Sequence, residues 1–261
     1  MLVSRQGLVT PVIFCLCILG VGLIQLPRLE KLLTGKQSAS LETLEKDIES
    51  ENLHLNLLKK LPSFGYDNFI ADWTFINFLQ YFGDDEVREK TGYSLSPEYF
   101  EVILTRDPRF LEAYINLSAS TSLYAGMPER SIAIMEEGLK SLSPGIPEKS
   151  YYVWRYKAID ELLFLGNAQA AQESFTKAAN WSSKFTDEES RNTAFLSQQT
   201  AEFLKRNPDS KSARISTWAM VLNNKIDEKT RKRAISEIEV LGGKVVQTPE
   251  GNSKIIFPPK D

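Results

Sequence analysis

Apolar residues return every three or four positions through most of this chain, most densely between residues 109 and 180. There the pattern predicts two successive helical hairpins. FLEAYINLSASTSLYAG leads into MPERSIAIMEEGLKSLSP, and KSYYVWRYKAIDELLFLG into NAQAAQESFTKAANWS. Each unit is a helix, a Gly turn and a second helix with small residues at fixed places. Ser131, Met135 and Gly138 follow Gly126 by 5, 9 and 12 positions, and Ala171, Phe175 and Ala178 follow Gly166 by the same intervals. A lone helical hairpin cannot bury its apolar face, whereas stacked hairpins can. The flanking segments are therefore expected to be further hairpins.

Upstream, Leu41, Leu44, Ile48, Leu55 and Leu58 mark an amphipathic helix, with Glu51 interrupting its stripe. It is suited to a short coiled coil, to packing on the repeats, or to a membrane partner. LPSFGYDNF breaks the pattern, and IADWTFINFLQYFG (70–83) resumes it, with Ala71, Phe75, Phe78, Leu79 and Phe82 sharing or bordering one face. Residues 84–96 read as a charged connection. SPEYFEVILTRDP then starts with Ser96 and Pro97, good residues for a helix start, and stops at Pro108. Downstream, helices are expected over 187–208, in SARISTWAMVLNN and in DEKTRKRAISEIEVLGG. KVVQTPEGNSKIIF switches to two short strand-like runs around a turn. The organisation that follows is a segment 1–28, a linker and amphipathic helix 29–63, a helical repeat domain 64–241 and a C-terminal hairpin or tail 242–261.

Composition narrows the chemistry. The chain has 261 residues, one histidine (His54) and two cysteines, Cys15 and Cys17, both in the apolar N-terminal stretch. A histidine-based zinc cluster is excluded, as is a Ser-His-Asp triad away from His54. No phosphate-binding glycine loop, HExxH or CxxC outside that stretch is present, so no cofactor or metal is expected. The net charge of −3 and the short basic run at Lys229–Arg233 do not suggest nucleic acid. Acidic groups such as Asp84-Asp85-Glu86 read as solvated loop residues. The expectation is a protein that is not an enzyme.

Residues 8–27 carry no charge, and about 19 residues at 1.5 Å each match a hydrocarbon core of about 30 Å. The stretch is longer than a signal-peptide core and lacks a small-x-small cleavage site. It reads as an uncleaved single-pass membrane anchor, with a signal peptide and a buried helix as the alternatives. Arg28, Lys31 and Lys36 after it, against Arg5 before it, place the repeat domain on the cytoplasmic side.

GNAQAAQESFTKAAN resembles the second half of a tetratricopeptide repeat through Gly166, Ala171, Phe175 and Ala178. Asp107-Pro108 resembles that repeat's closing pair. FGYDNFIADWTFINFLQYFG and DPRFLEAYINLSASTSLYAGMPERSIAIMEEGL resemble bacterial membrane-associated tetratricopeptide proteins. The repeats are degenerate: Ser131 stands where Ala is usual, and the loops at 84–96 and 143–150 lengthen the period. The resemblance implies an all-α solenoid that scaffolds or assists assembly of a membrane protein complex by binding a protein or peptide. A permanent structural subunit, or an enzyme with an unrecognised acidic site, are the other readings. Aromatic enrichment makes Trp73, Tyr81, Tyr114 and Tyr156 the candidate contact residues.

Overall fold

The computed structural model describes residues 14, 18–23, 25–26, 40–208, 210–222, 228–247 and 253–259. In chain order its elements are α1 (Leu41–Lys60), α2 (Asp67–Phe82), α3 (Asp85–Thr91), α4 (Ser96–Arg106), α5 (Leu111–Leu117), a π-helical segment Ser118–Tyr124, α6 (Pro128–Leu139), α7 (Tyr151–Leu163), α8 (Ala168–Ser182), α9 (Glu188–Arg206), α10 (Lys211–Leu222) and α11 (Glu228–Val240). They are followed by β1 (Lys244–Gln247) and β2 (Ser253–Ile256). The most extensively packed helix pairs are α2 on α4, α7 on α8, α8 on α9 and α10 on α11. The two strands pair antiparallel, with Val245 opposite Ile255.

The two central hairpins are alike in conformation as well as in spelling. Gly126 and Gly166 both turn with positive φ, 70° and 63°, where a side chain would be strained. Ser131, Met135, Ala171 and Ala178 are fully buried at matching offsets, and Phe175 nearly so. Pro128 opens α6 at a position where its missing N–H costs nothing, and the Asn167 side chain accepts from Ala170 N–H to open α8. Gly138 has a packing cause. A Cβ there would lie 2.0 Å from the Tyr114 hydroxyl oxygen, so only glycine admits that ring.

Helix α1 belongs to this body and is not a free tether. Ser40 caps it, and Leu44 and Leu55 enter the core against α4. Glu51, which breaks its apolar stripe, accepts the Tyr99 hydroxyl of α4 at 2.9 Å. Lys59 pairs with Glu101 of α4. At the other end the chain doubles back. Ile215, Trp218, Ala234 and Ile238 of α10 and α11 close on Leu163 and Phe164 of α7 and on Leu123 of the π-helical segment, with Val245 and Ile255 of the strands beneath them. The connection 84–96 is not plain loop, since α3 lies inside it and buries Val87 and Arg88.

The expected single-pass membrane placement does not stand. Among the described residues no helix is long and apolar enough to cross a membrane. The long helices, α1 and α9, carry charges along their length, including Glu42, Lys46, Asp47, Glu49, Lys59 and Lys60 in α1, and such charges are costly in hydrocarbon. The apolar α2 has only 16 residues, against the ~20 that a bilayer core needs. Most of residues 8–27, on which the anchor was placed, lies outside the described residues.

Candidate protein-interaction surface

Helix α2 is apolar almost all the way round, DNFIADWTFINFLQYF. A helix of that kind is normally enclosed on every side. Here, among the described residues, only one side is enclosed. Ala71, Thr74 and Phe78 face the core, where the Phe78 ring meets Phe100 at 4.5 Å and Tyr99 at 5.9 Å. At 100° per residue, Phe69, Trp73, Ile76 and Gln80 fall on the opposite side. Phe69 is 67% exposed, Trp73 54% and Ile76 48%, with Leu79 exposed on the flank. Phe64 and Tyr66, in the turn before the helix, are exposed as well.

That turn is held firmly. Ser63 donates to Asp67 Oδ2 at 2.7 Å, and Arg106 Nη1 donates to Asp67 Oδ1 at 3.1 Å. The other guanidinium nitrogen bonds the carbonyls of Leu58 and Leu61, so Arg106 joins the end of α1 to the start of α2. The Ser63 hydrogen bond and then the Arg106 cation hold the Asp67 carboxyl below the ordinary carboxylate range. The exposed aromatics therefore project from a braced frame.

The four residues singled out by aromatic enrichment do not converge. Trp73 lies on the outward stripe. Tyr81 is half-buried one face away, its oxygen accepting Leu95 N–H at 3.1 Å and its ring under the Arg88 guanidinium at 4.0 Å. It lines a cleft between α1, α2 and α4 with Ile48, His54 and Tyr99. Tyr114 is fully buried, its hydroxyl donating to Pro108 O at 2.7 Å, and it serves packing. Tyr156 is half-buried on α7, stacked on Tyr152 at 5.9 Å, while Tyr152 donates to Glu189 of α9. The sequence reading missed Phe69 and Ile76 and grouped Leu79 on or beside the face of Ala71 and Phe78, whereas it is exposed. A helix that is apolar on all sides was the available signal.

A second feature is a buried anion. Asp160 of α7 is fully enclosed and accepts hydroxyls from Ser118 (2.6 Å), Ser122 (2.6 Å) and Ser131 (2.8 Å). Two of the donors sit on the π-helical segment and one on α6, so one carboxylate ties three elements together. Burial pushes its pKa up to about 6, against the pull of the three hydroxyls. Its neighbour Glu161 pairs through one carboxylate oxygen with Lys157, which also reaches Glu136 of α6. Enclosed on all sides, the Asp160 centre fixes the relative placement of these helices. Among the described residues there is no group of three His, Cys, Asp or Glu side chains placed to hold a metal ion.

Comparison with protein-family models, with curated proteins and with solved structures finds no match.

Proposed function

We propose that the chain is a helical-repeat scaffold of tetratricopeptide type that assists assembly or stability of a protein complex and does no bond chemistry. The observation that carries this reading is the outward side of α2, where Phe69, Trp73 and Ile76 stand in solvent on a helix whose composition calls for a neighbour. Exposed aromatic side chains grouped on a rigid element are the usual anchors of protein interfaces, Trp above all. The matching glycine turns and buried small residues of α5–α6 and α7–α8 support the tetratricopeptide reading. The partner is a protein surface that presents its own apolar anchors.

The test is native sizing of the full chain in extracts of its own cells, comparing wild type with Trp73→Asp. Wild type is expected in an assembly larger than the 29.5 kDa chain, and the variant in a smaller one. Identical profiles would sink the proposal, provided the variant keeps its helical circular-dichroism signal.

A further inference from the structure

Building on the reading of α2 as an interface, we infer that its occupant is a second copy of this chain, packed antiparallel α2 against α2 about a two-fold axis. The exposed parts of Phe64, Tyr66, Phe69, Trp73, Ile76 and Leu79 amount to roughly 700 Å², taking 150–250 Å² for an aromatic side chain. A standard stable interface takes about 800 Å² from each partner, so the patch is nearly sufficient alone.

The spacing of the stripe lets it pair with a copy of itself. Phe69, Trp73, Ile76 and Gln80 are separated by 4, 3 and 4 positions, a series that reads the same in both directions. An isologous contact needs a patch that complements itself under a two-fold rotation. Antiparallel pairing about the midpoint sets Trp73 of one copy against Ile76 of the other, and Phe69 against Gln80. The rings then have aliphatic surface beneath them, and the amides remain at the ends. Charge does not oppose this. The stripe carries none, Asp72 lies on its flank, and the whole chain has a net charge of only −3. A partner recognised by charge would need a countercharge that the stripe lacks.

The experiment is photo-crosslinking of the full chain with benzoylphenylalanine in place of Trp73, using a mixture of light- and heavy-isotope copies and mass spectrometry of the linked peptides. The expected product joins the 64–82 peptide of a light copy to that of a heavy copy. Ile76→Glu and, separately, Phe69→Glu should each lower its yield about tenfold or more, since both replace exposed side chains, and should leave the helical signal of the dilute, unassociated chain unchanged. The same probe at Val240, which is also exposed, should give no such product. Links from position 73 to a different protein would overturn the second-copy inference while leaving α2 as an interface. Links to residues 8–27 of the same chain would overturn both, as would no link at all. Equal intermolecular linking from Val240 would show nonspecific association and overturn the inference.

Discussion

Replacing Asp160 by Asn should change how stability depends on pH, in a predictable direction. In the unfolded chain this carboxyl titrates near its ordinary 3.8, and in the fold near 6. The native state therefore holds the proton more tightly than the unfolded state does. The stability contributed by that proton is complete below about pH 4 and is lost as pH rises through 6. A shift of about two units at ~1.4 kcal/mol each gives about 3 kcal/mol. The groups around it do not reverse the sign. Ser118, Ser122 and Ser131 are neutral, and Glu161 is an acid already paired with Lys157. Urea unfolding followed by circular dichroism, from about pH 4 to 7, should show wild-type stability falling relative to Asp160→Asn by about 3 kcal/mol. Subtracting the variant cancels the other titrations, including Asp67 and Glu101, whose lowered values act in the opposite direction. A flat difference, or one that rises with pH, would show that the three hydroxyls outweigh burial and would refute the reasoning.

Gly138→Ala should destabilise by about 2–3 kcal/mol in thermal or urea unfolding, because its Cβ would occupy the place of the Tyr114 hydroxyl. Tyr114→Phe in the same background should recover only part of that loss, since the ring carbons would still be under 3.0 Å away. Leu55→Ala should cost about 3 kcal/mol, because α1 is core and not tether; no effect would contradict its packing. Trp73→Ala should lower the unfolding free energy of dilute, unassembled chain by no more than about 2 kcal/mol, short of the roughly 3–5 kcal/mol of a buried Trp, since about half of its surface is exposed.

The hairpins were legible because their punctuation is local. Gly126, Gly166, Pro128 and Pro97 mark where helices begin and turn, and strands around 244–257 follow from the change of period. Helix α3 was not legible, since six charged and polar residues around Val87 spell a loop until Val87 and Arg88 are buried by tertiary contact. The π-helical register at Ser118–Tyr124 was equally hidden. Its serines read as small spacers, and only the fold brings the Asp160 carboxylate to Ser118 and Ser122, about 40 positions away. Glu51 looked like a flaw in an apolar stripe and proves to be the acceptor for Tyr99. Among the candidate contacts, Trp73 stands exposed and Tyr114 is enclosed. Aromatic enrichment alone cannot tell an anchor from a core ring, because both depend on which neighbouring helix arrives. In α2 apolar residues also lie away from the face marked by Ala71, Phe75 and Phe78, so the outward stripe becomes visible only once the core has claimed Ala71, Thr74 and Phe78.

The central claim is that the outward side of α2 is covered when the protein is at work. Hydroxyl-radical footprinting reads this directly by comparing oxidation of Trp73 in intact cells with that in dilute purified chain, normalised to the buried Trp218 and to the exposed Phe195 on α9. The account predicts that Trp73 is protected several-fold in cells while Phe195 is not. Equal oxidation of Trp73 in the two settings would contradict it.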